Sequence, residues 1–397
     1  MLQPYRKYPS TTDSIPKPSG ERVGFLASHN SLGVVTDYAL NGTMKSIYCL
    51  ASLVVIVLST LTMVGQTYVP QDYPQMELSN GILRAKFYLP DANKGFYRGT
   101  RFDWAGVIGS LEYKGHDYLA PFFEKFDTSV ADVEIANPIR AGINSAASGP
   151  VEEFIGADGT ALGYAEAKPG ETFCKIGVGS LRKINNEAYS SYTNYSIVNG
   201  GKRGTKSGAD WIGFTQELEC GSGYAYRYEK TIRFVKNESL MEIEHRLLNT
   251  GKRVIETMVY DHNFLSIDHL QTGPSIVISF PFSPRATQDM GGLGEIRGKQ
   301  LLFSKDLRGS DTFYAELTGF GKDASDYEIR VENQRTGAGV LITGDRPLAT
   351  VGLWAVRTVV APEPYIAIHV PVGQEFRWTY RNRFYVNPTT KKAGSDH

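Results

Sequence analysis

Residues 224 to 260 read YAYRYEKTIRFVKNESLMEIEHRLLNTGKRVIETMVY, and their alternation decides the fold class. Tyr224, Tyr226, Tyr228, Ile232 and Phe234 share one face, with Arg227, Glu229, Thr231 and Arg233 on the other. Met241, Ile243, His245 and Leu247 then alternate with Glu242, Glu244 and Arg246. A period of two belongs to a strand with one face buried. Asn249-Thr250-Gly251-Lys252 supplies a turn, and Val254, Met258 and Tyr260 resume on a returning strand.

The same rhythm extends in both directions. Leu83, Ala85, Phe87 and Leu89 alternate with Arg84, Lys86 and Tyr88; near the C-terminus Phe376, Trp378, Tyr380 and Phe384 alternate with Arg377, Thr379, Arg381 and Arg383. No long, capped amphipathic helix follows residue 65. Strands joined by short turns, without intervening helices, predict an all-β, antiparallel sandwich or barrel rather than a parallel α/β sheet. No repeat of fixed period points to a propeller or solenoid. No Pro/Gly/Ser linker divides residues 76 to 387, which therefore read as one large β domain, with 388–397 as a disordered tail.

Composition agrees and excludes several function classes. Lys+Arg 42 against Asp+Glu 42 in 397 residues gives zero net charge, which argues against a nucleic-acid-binding protein. It argues equally against an acidic, disordered chain. Hydrophobic residues at 41% and aromatics at 12% suffice for a sizeable core. Three cysteines are too few for a disulfide-stapled scaffold.

Upstream of the strands, Ile47 to Val64 (IYCLASLVVIVLSTLTMV) carries no charge and follows Met44-Lys45. A basic start, an apolar run and then small or polar residues make residues 44–65 a secretory signal, with an uncleaved membrane anchor as the alternative. Residues 1–43 are polar and aperiodic, either a disordered extension or a stretch mis-assigned upstream of a true start at Met44. The chain is accordingly expected to be secreted or periplasmic, touching a membrane only through 47–64 if that segment is retained. Export would place Cys174 and Cys220 in an oxidising compartment, where they either pair or stay as buried thiols.

Gly201-Lys202-Arg203-Gly204-Thr205-Lys206-Ser207 has Thr205 where a phosphate loop needs Gly, and no helix pattern follows. Gly291-Gly292-Leu293-Gly294 lacks the strand–turn–helix setting of a dinucleotide site. No His/Cys group has zinc spacing and no Gly-x-Ser-x-Gly elbow occurs, so neither a metal nor a cofactor is expected.

The stretch most informative about chemistry is Asn249 to Pro274, where an apolar strand ends in Tyr260-Asp261-His262-Asn263-Phe264. A histidine titrates near neutrality and can both donate and accept a proton at working pH. On the period-two rule His262 and Tyr260 share a face, while Asp261 points the other way and is read as structural. His245 lies on an apolar strand face and is expected to be structural. His116 sits in a turn and is expected to be solvated, and His269 and His369 carry no distinguishing context.

This segment resembles the aldose 1-epimerase (galactose mutarotase-like) superfamily, in which an Asn-Thr-Gly turn precedes a strand ending in a Thr-Asn-His-x-Tyr-Phe-Asn-like motif. Asn249-Thr250-Gly251 and His262-Asn263-Phe264 carry the likeness. It extends to a Gly-x-Leu-x-Ala strand near residue 81, to Tyr97-Arg98-Gly99-Thr100-Arg101-Phe102, and to the turn Val372-Gly373-Gln374-Glu375-Phe376 before the last strand. The resemblance covers residues 78 to 387 and implies a large β-supersandwich.

It also implies sugar chemistry: anomers of an aldose interconvert as a His protonates the ring oxygen and a Glu deprotonates the anomeric hydroxyl. His262 matches the acid. Glu363, in Pro362-Glu363-Pro364-Tyr365, lies where the base is expected, although its prolines also suit a simple loop; Glu375 sits in a solvent-facing turn. Arg98 or Arg101 matches an arginine that contacts the sugar, or else pairs with Asp103. Trp104, beside Arg101, is the tryptophan best placed to stack on a sugar, and Tyr260 joins it as a binding residue. Two departures stand out: Tyr260-Asp261 replaces Thr-Asn, and Gly149-Pro150-Val151-Glu152-Glu153-Phe154 occupies the place of the family's His-Gly-Gly element.

The expected function is therefore an exported, cofactor-independent isomerase acting on a sugar or sugar derivative. A non-catalytic carbohydrate-binding protein on the same fold is the alternative, and a relative of polysaccharide lyases or glycosidases the second alternative.

Overall fold

In the computed structural model, which describes residues 73–121 and 147–388, the period-two segments are long strands. Ala225–Phe234 pairs antiparallel with Leu240–Asn249, which pairs in turn with Glu375–Val386. These three form the middle of a ten-stranded sheet. Its order is Gly294–Arg297, Gln300–Phe303, Ile276–Ser279, Glu328–Asn333, Ala338–Gly344, Glu375–Val386, Leu240–Asn249, Ala225–Phe234, Trp211–Glu219 and Lys202–Ser207. A six-stranded sheet runs Arg285–Ala286, Phe313–Thr318, Thr350–Val356, Val359–Val370, Ile255–Phe264 and Gly149–Ile155. Smaller sheets of four strands (from Gln75–Ser79 to His116–Leu119) and three (Thr172–Lys175, Gly179–Arg182, Ile197–Asn199) complete the fold. Every strand pairing is antiparallel, and the only helices among the described residues are two single 3₁₀ turns. The chain is an all-β antiparallel sandwich.

The main core lies between the two large sheets. Ile232, Phe234, Met241, Ile243 and Leu247 face Ile255, Val259, Ile366, Ile368, Val351 and Leu353, all buried. Burial of a Leu, Ile or Phe side chain contributes about 1.5–3 kcal/mol, so this layer dominates the stability of the fold. A second apolar cluster covers the opposite, outer face of the six-stranded sheet. There Val151, Phe264, Val359 and Ala361 meet Phe102, Trp104, Tyr164, Phe173 and Leu181 from the loops and the three-stranded sheet. Strand Gly149–Ile155 is buried at all seven positions because both of its faces are covered.

Cys174 and Cys220 form a disulfide with Cα atoms 5.9 Å apart, closing a loop across 46 residues. Two sequence expectations are corrected. Val254 is exposed and the returning strand begins at Ile255, so its core-facing set is Ile255, Thr257 and Val259. His116 is not merely solvated: its Nδ1 lies 3.1 Å from the Asp268 carboxylate. The expected signal or anchor, the 1–43 extension and residues 389–397 lie outside the described residues. No helix of the described residues is long and apolar enough to cross a membrane.

Candidate active site

Strand Ile255–Phe264 sends its odd positions into the sandwich and its even positions outward. Tyr260, His262 and Phe264 therefore share the outer face, and Asp261 points into the core layer, as the period-two rule requires. The neighbouring strand Val359–Val370 pairs Tyr260 with Tyr365. Continuing that register by two residues sets Glu363 directly opposite His262. The side chains meet, with His262 Nε2 3.1 Å from Glu363 Oε1. Pro362 and Pro364 flank a carboxylate borne by a regular strand rather than by a loop.

Neighbours on the same face hold the pair. The imidazole stacks on Phe264 at 3.8 Å between centroids and meets Phe102 and Trp354 edge-on. Tyr365 donates its hydroxyl to Glu363 Oε2 at 3.4 Å. On the far side of Glu363, strand Thr350–Val356 presents Gly352, where a Cβ would lie 2.9 Å from Oε2; glycine makes room for the carboxylate. Burial pushes the Glu363 carboxyl up to about 8, with Arg101 opposing and Glu153 reinforcing the rise. Burial, aided by Arg101, holds the His262 imidazole well below its ordinary range. At neutral pH these shifts leave the pair one titratable proton, on the Glu363 carboxyl beside a neutral imidazole. Nδ1 is buried and has no hydrogen-bond partner among the described residues.

Beside the pair lies a second charged group. Glu153, opposite Tyr260 on strand Gly149–Ile155, accepts from Arg101 Nε at 2.7 Å, from Lys175 Nζ at 2.9 Å and from the Tyr260 hydroxyl. Arg101 Nη2 also donates to Tyr260 Oη at 2.9 Å. Burial would raise the Glu153 carboxyl, but Lys175 and Arg101 outweigh it and hold it at about 2. Two cations around one carboxylate leave a positive excess next to His262. Tyr260 stacks on Tyr365 at 4.2 Å, which locks this group to the Glu363 strand.

Alternation places the next pair of residues on the other side of the sheet. Glu152, opposite Asp261, projects into the sandwich and binds Lys230 Nζ and His245 Nε2, the latter at 2.7 Å. His245 lies flat on Trp378 at 4.5 Å. This interior group makes His245 structural. It also explains Asp261, whose carboxyl burial and the Glu152 charge raise well above its ordinary range.

Of the residues singled out in the sequence, His262, Glu363, Arg101 and Tyr260 come together. Arg98 does not join them through its hydrogen bond to Asn93 O, which stays within its own loop. Arg101 pairs with Glu153 rather than with Asp103. Trp104 spends its indole N–H on Gly99 O and carries Arg203 over its ring at 4.9 Å, so Trp354 is the tryptophan beside His262. The sequence reading passed over Glu153, Lys175, Tyr365 and Gly352. Two of these carried a signal: Tyr365 follows Glu363 by two residues on a strand, and Glu152-Glu153 is a charged pair inside an apolar run.

No protein-family profile matches the chain, and no curated protein does. Solved structures are similar to it. They include a galactose mutarotase related enzyme from Lactobacillus acidophilus, 11% identical over 80% of this chain and 99% of that one, with a TM-score of 0.47. An aldose epimerase homologue from C. elegans is 13% identical over 79% and 99%, at a TM-score of 0.48. A galactose mutarotase-like protein from Lactobacillus casei is 9% identical over 78% and 100%, at 0.47.

Proposed function

We propose that the chain is an exported aldose 1-epimerase-like isomerase that interconverts the anomers of a sugar or sugar derivative, with His262 and Glu363 as its acid and base. The observation that carries this reading is the buried contact of Nε2 with Oε1 at 3.1 Å. Ring opening needs a proton delivered to the ring oxygen as another leaves the anomeric hydroxyl. Both oxygens are bonded to the same carbon, so the acid and base that serve them must converge, as these two side chains do.

The proton count balances. With the pair's one proton on Nε2, His262 gives it to the ring oxygen while Glu363 takes the anomeric proton; the C1–O bond breaks and the C1 carbonyl forms. The pair again holds one proton, now on the carboxyl, with His262 neutral and ready to accept. Rotation of the carbonyl group and the reverse transfers close the ring as the other anomer. Arg101 and Tyr260 act as positioning residues through Glu153. The Cys174–Cys220 bond supports export, because disulfides persist in oxidising compartments.

The second reading, sugar binding without turnover, is favoured by one feature: the side chains of His262 and Glu363 are only 4% and 5% exposed. Polarimetry on freshly dissolved aldoses and uronic acids separates the two. Acceleration of mutarotation above the spontaneous rate, lost in His262→Asn, supports the isomerase. Saturable binding with no acceleration for any sugar supports the alternative.

A further inference from the structure

Among the described residues Tyr192 is the single aromatic side chain that stands exposed, at 52%. It lies in the connection between strands Gly179–Arg182 and Ile197–Asn199, and the Arg101 guanidinium lies over its ring at 5.7 Å. We propose that Tyr192 is an outer binding residue of the candidate active site, stacking on the second unit of a reducing disaccharide whose terminal ring is held at His262 and Glu363. This substrate class rests on the anomer-exchange reading of that pair.

The turn that carries the ring is held in place. Thr193 N donates to Ser190 O at 3.1 Å, and Tyr192 N donates to Ser190 Oγ at 3.2 Å. Ser190 N donates to the Tyr195 hydroxyl at 3.2 Å, and Tyr195 stacks on Tyr189 at 5.8 Å. Thr100, buried and next in sequence to Arg101, clamps the turn from the other side. Its Oγ1 accepts from Tyr195 N at 3.1 Å and donates to Thr193 O at 3.2 Å. The backbone under Tyr192 is thereby tied to the segment that supplies Arg101, so an exposed ring is fixed beside the site before any ligand arrives.

Shielding of Arg101 does not require this ring, because Phe102 already covers the guanidinium at 4.6 Å. Phe102 in turn meets His262 edge-on at 5.4 Å. His262, Phe102, Arg101 and Tyr192 thus follow one another outward, from a closed pair to a ring half in solvent. Burial raises the Tyr192 hydroxyl above its ordinary range, with Arg101 opposing and Glu363 and Glu153 adding to the rise, so both carboxyls lie within electrostatic reach of it. Only a free anomeric hydroxyl can lose its proton to Glu363, so a sugar chain enters by its reducing end and its next unit projects outward. A ring seated at the pair meets Phe102, and Tyr192, beyond Arg101, meets the unit that follows. An aromatic face suits the C–H face of a pyranose, and an exposed apolar ring beside a site marks a binding surface.

The test is polarimetry on the full chain with lactose, cellobiose and maltose beside galactose and glucose. For at least one disaccharide, Tyr192→Ala should raise KM about tenfold more than it does for the monosaccharides. The kcat for that disaccharide should move less than about twofold, as expected when uniform binding is lost. Thr100→Val, which releases the turn, should weaken the same disaccharide about threefold, and Thr100→Ser should restore it. Saturation-transfer NMR with the methyl β-glycosides of the three disaccharides, whose blocked anomeric oxygen prevents ring opening, reads binding without turnover. Binding of at least one glycoside that weakens in Tyr192→Ala, in a chain that exchanges no anomers, would end the isomerase reading and still support the outer site. A KM that rises equally for disaccharides and monosaccharides, one that rises for no disaccharide, or no binding of any glycoside would overturn the proposal.

Discussion

Replacing Glu363 by Gln keeps the shape of the side chain and removes its titration, and the structure sets the size of the result. A carboxyl with an ordinary value of 4.5 is pushed up to about 8 by burial. Between those values the folded chain holds a proton that the unfolded chain has released. Folding then takes up a proton, and stability falls as pH rises through this window. At pH 7 the buried carboxyl costs about 3 kcal/mol relative to a side chain that does not titrate. His262, held well below 6.5, is neutral in the folded chain across these pH values, and its titration in the unfolded chain is common to both proteins and cancels in their difference. The interval from 6.5 to 8 is therefore clean. Urea unfolding of Glu363→Gln and of the unaltered chain should show a stability difference that moves in favour of the variant by about 1 kcal/mol between pH 6.5 and 7.5. A difference that stays constant across this interval would refute the claim that Glu363 is protonated at neutrality, and with it the pair's one titratable proton.

Further outcomes follow from the same geometry. Glu153→Gln strands Arg101 and Lys175 as buried cations, and should lower unfolding stability by about 3–5 kcal/mol in denaturant titrations. Gly352→Ala places a methyl within 2.9 Å of Glu363 Oε2, and should cut anomer exchange about 10²-fold while the thermal midpoint moves little. Cys174→Ser with Cys220→Ser opens a 46-residue loop and should cost about 4 kcal/mol by urea unfolding, with the exchange rate per folded molecule unchanged.

The sandwich was legible because alternation is local: Tyr224 to Tyr260 display their faces without knowledge of any partner strand. The same rule placed His262 and Tyr260 on one face and Asp261 on the other. It also carried a signal that went unread, since Lys230 and His245 both occupy inward positions of otherwise apolar faces. Those two residues announce a buried countercharge, which the structure supplies as Glu152. Which carboxylate would serve was beyond local pattern. Glu152 and Glu153 reach Asp261 and Tyr260 only through a strand pairing across about a hundred residues, and register between distant strands is fixed by the whole sheet rather than by either segment. Glu363 was found through the family resemblance, but its contact with His262 depends on the register that pairs Tyr260 with Tyr365. Trp104 was favoured over Trp354 because nearness in sequence to Arg101 stood in for nearness in space.

The most direct test of the central claim is two-dimensional exchange NMR between the anomeric protons of an aldose, recorded with the protein from pH 6 to 9. If His262 and Glu363 work as a pair with one titratable proton, exchange above the spontaneous rate should be present at pH 7. It should decline as pH rises through about 8, where the pair sheds that proton, and drop by about 10²–10⁴-fold in His262→Asn. Catalysed exchange that is unaltered in both His262→Asn and Glu363→Gln, or that keeps rising beyond pH 8, would contradict the account.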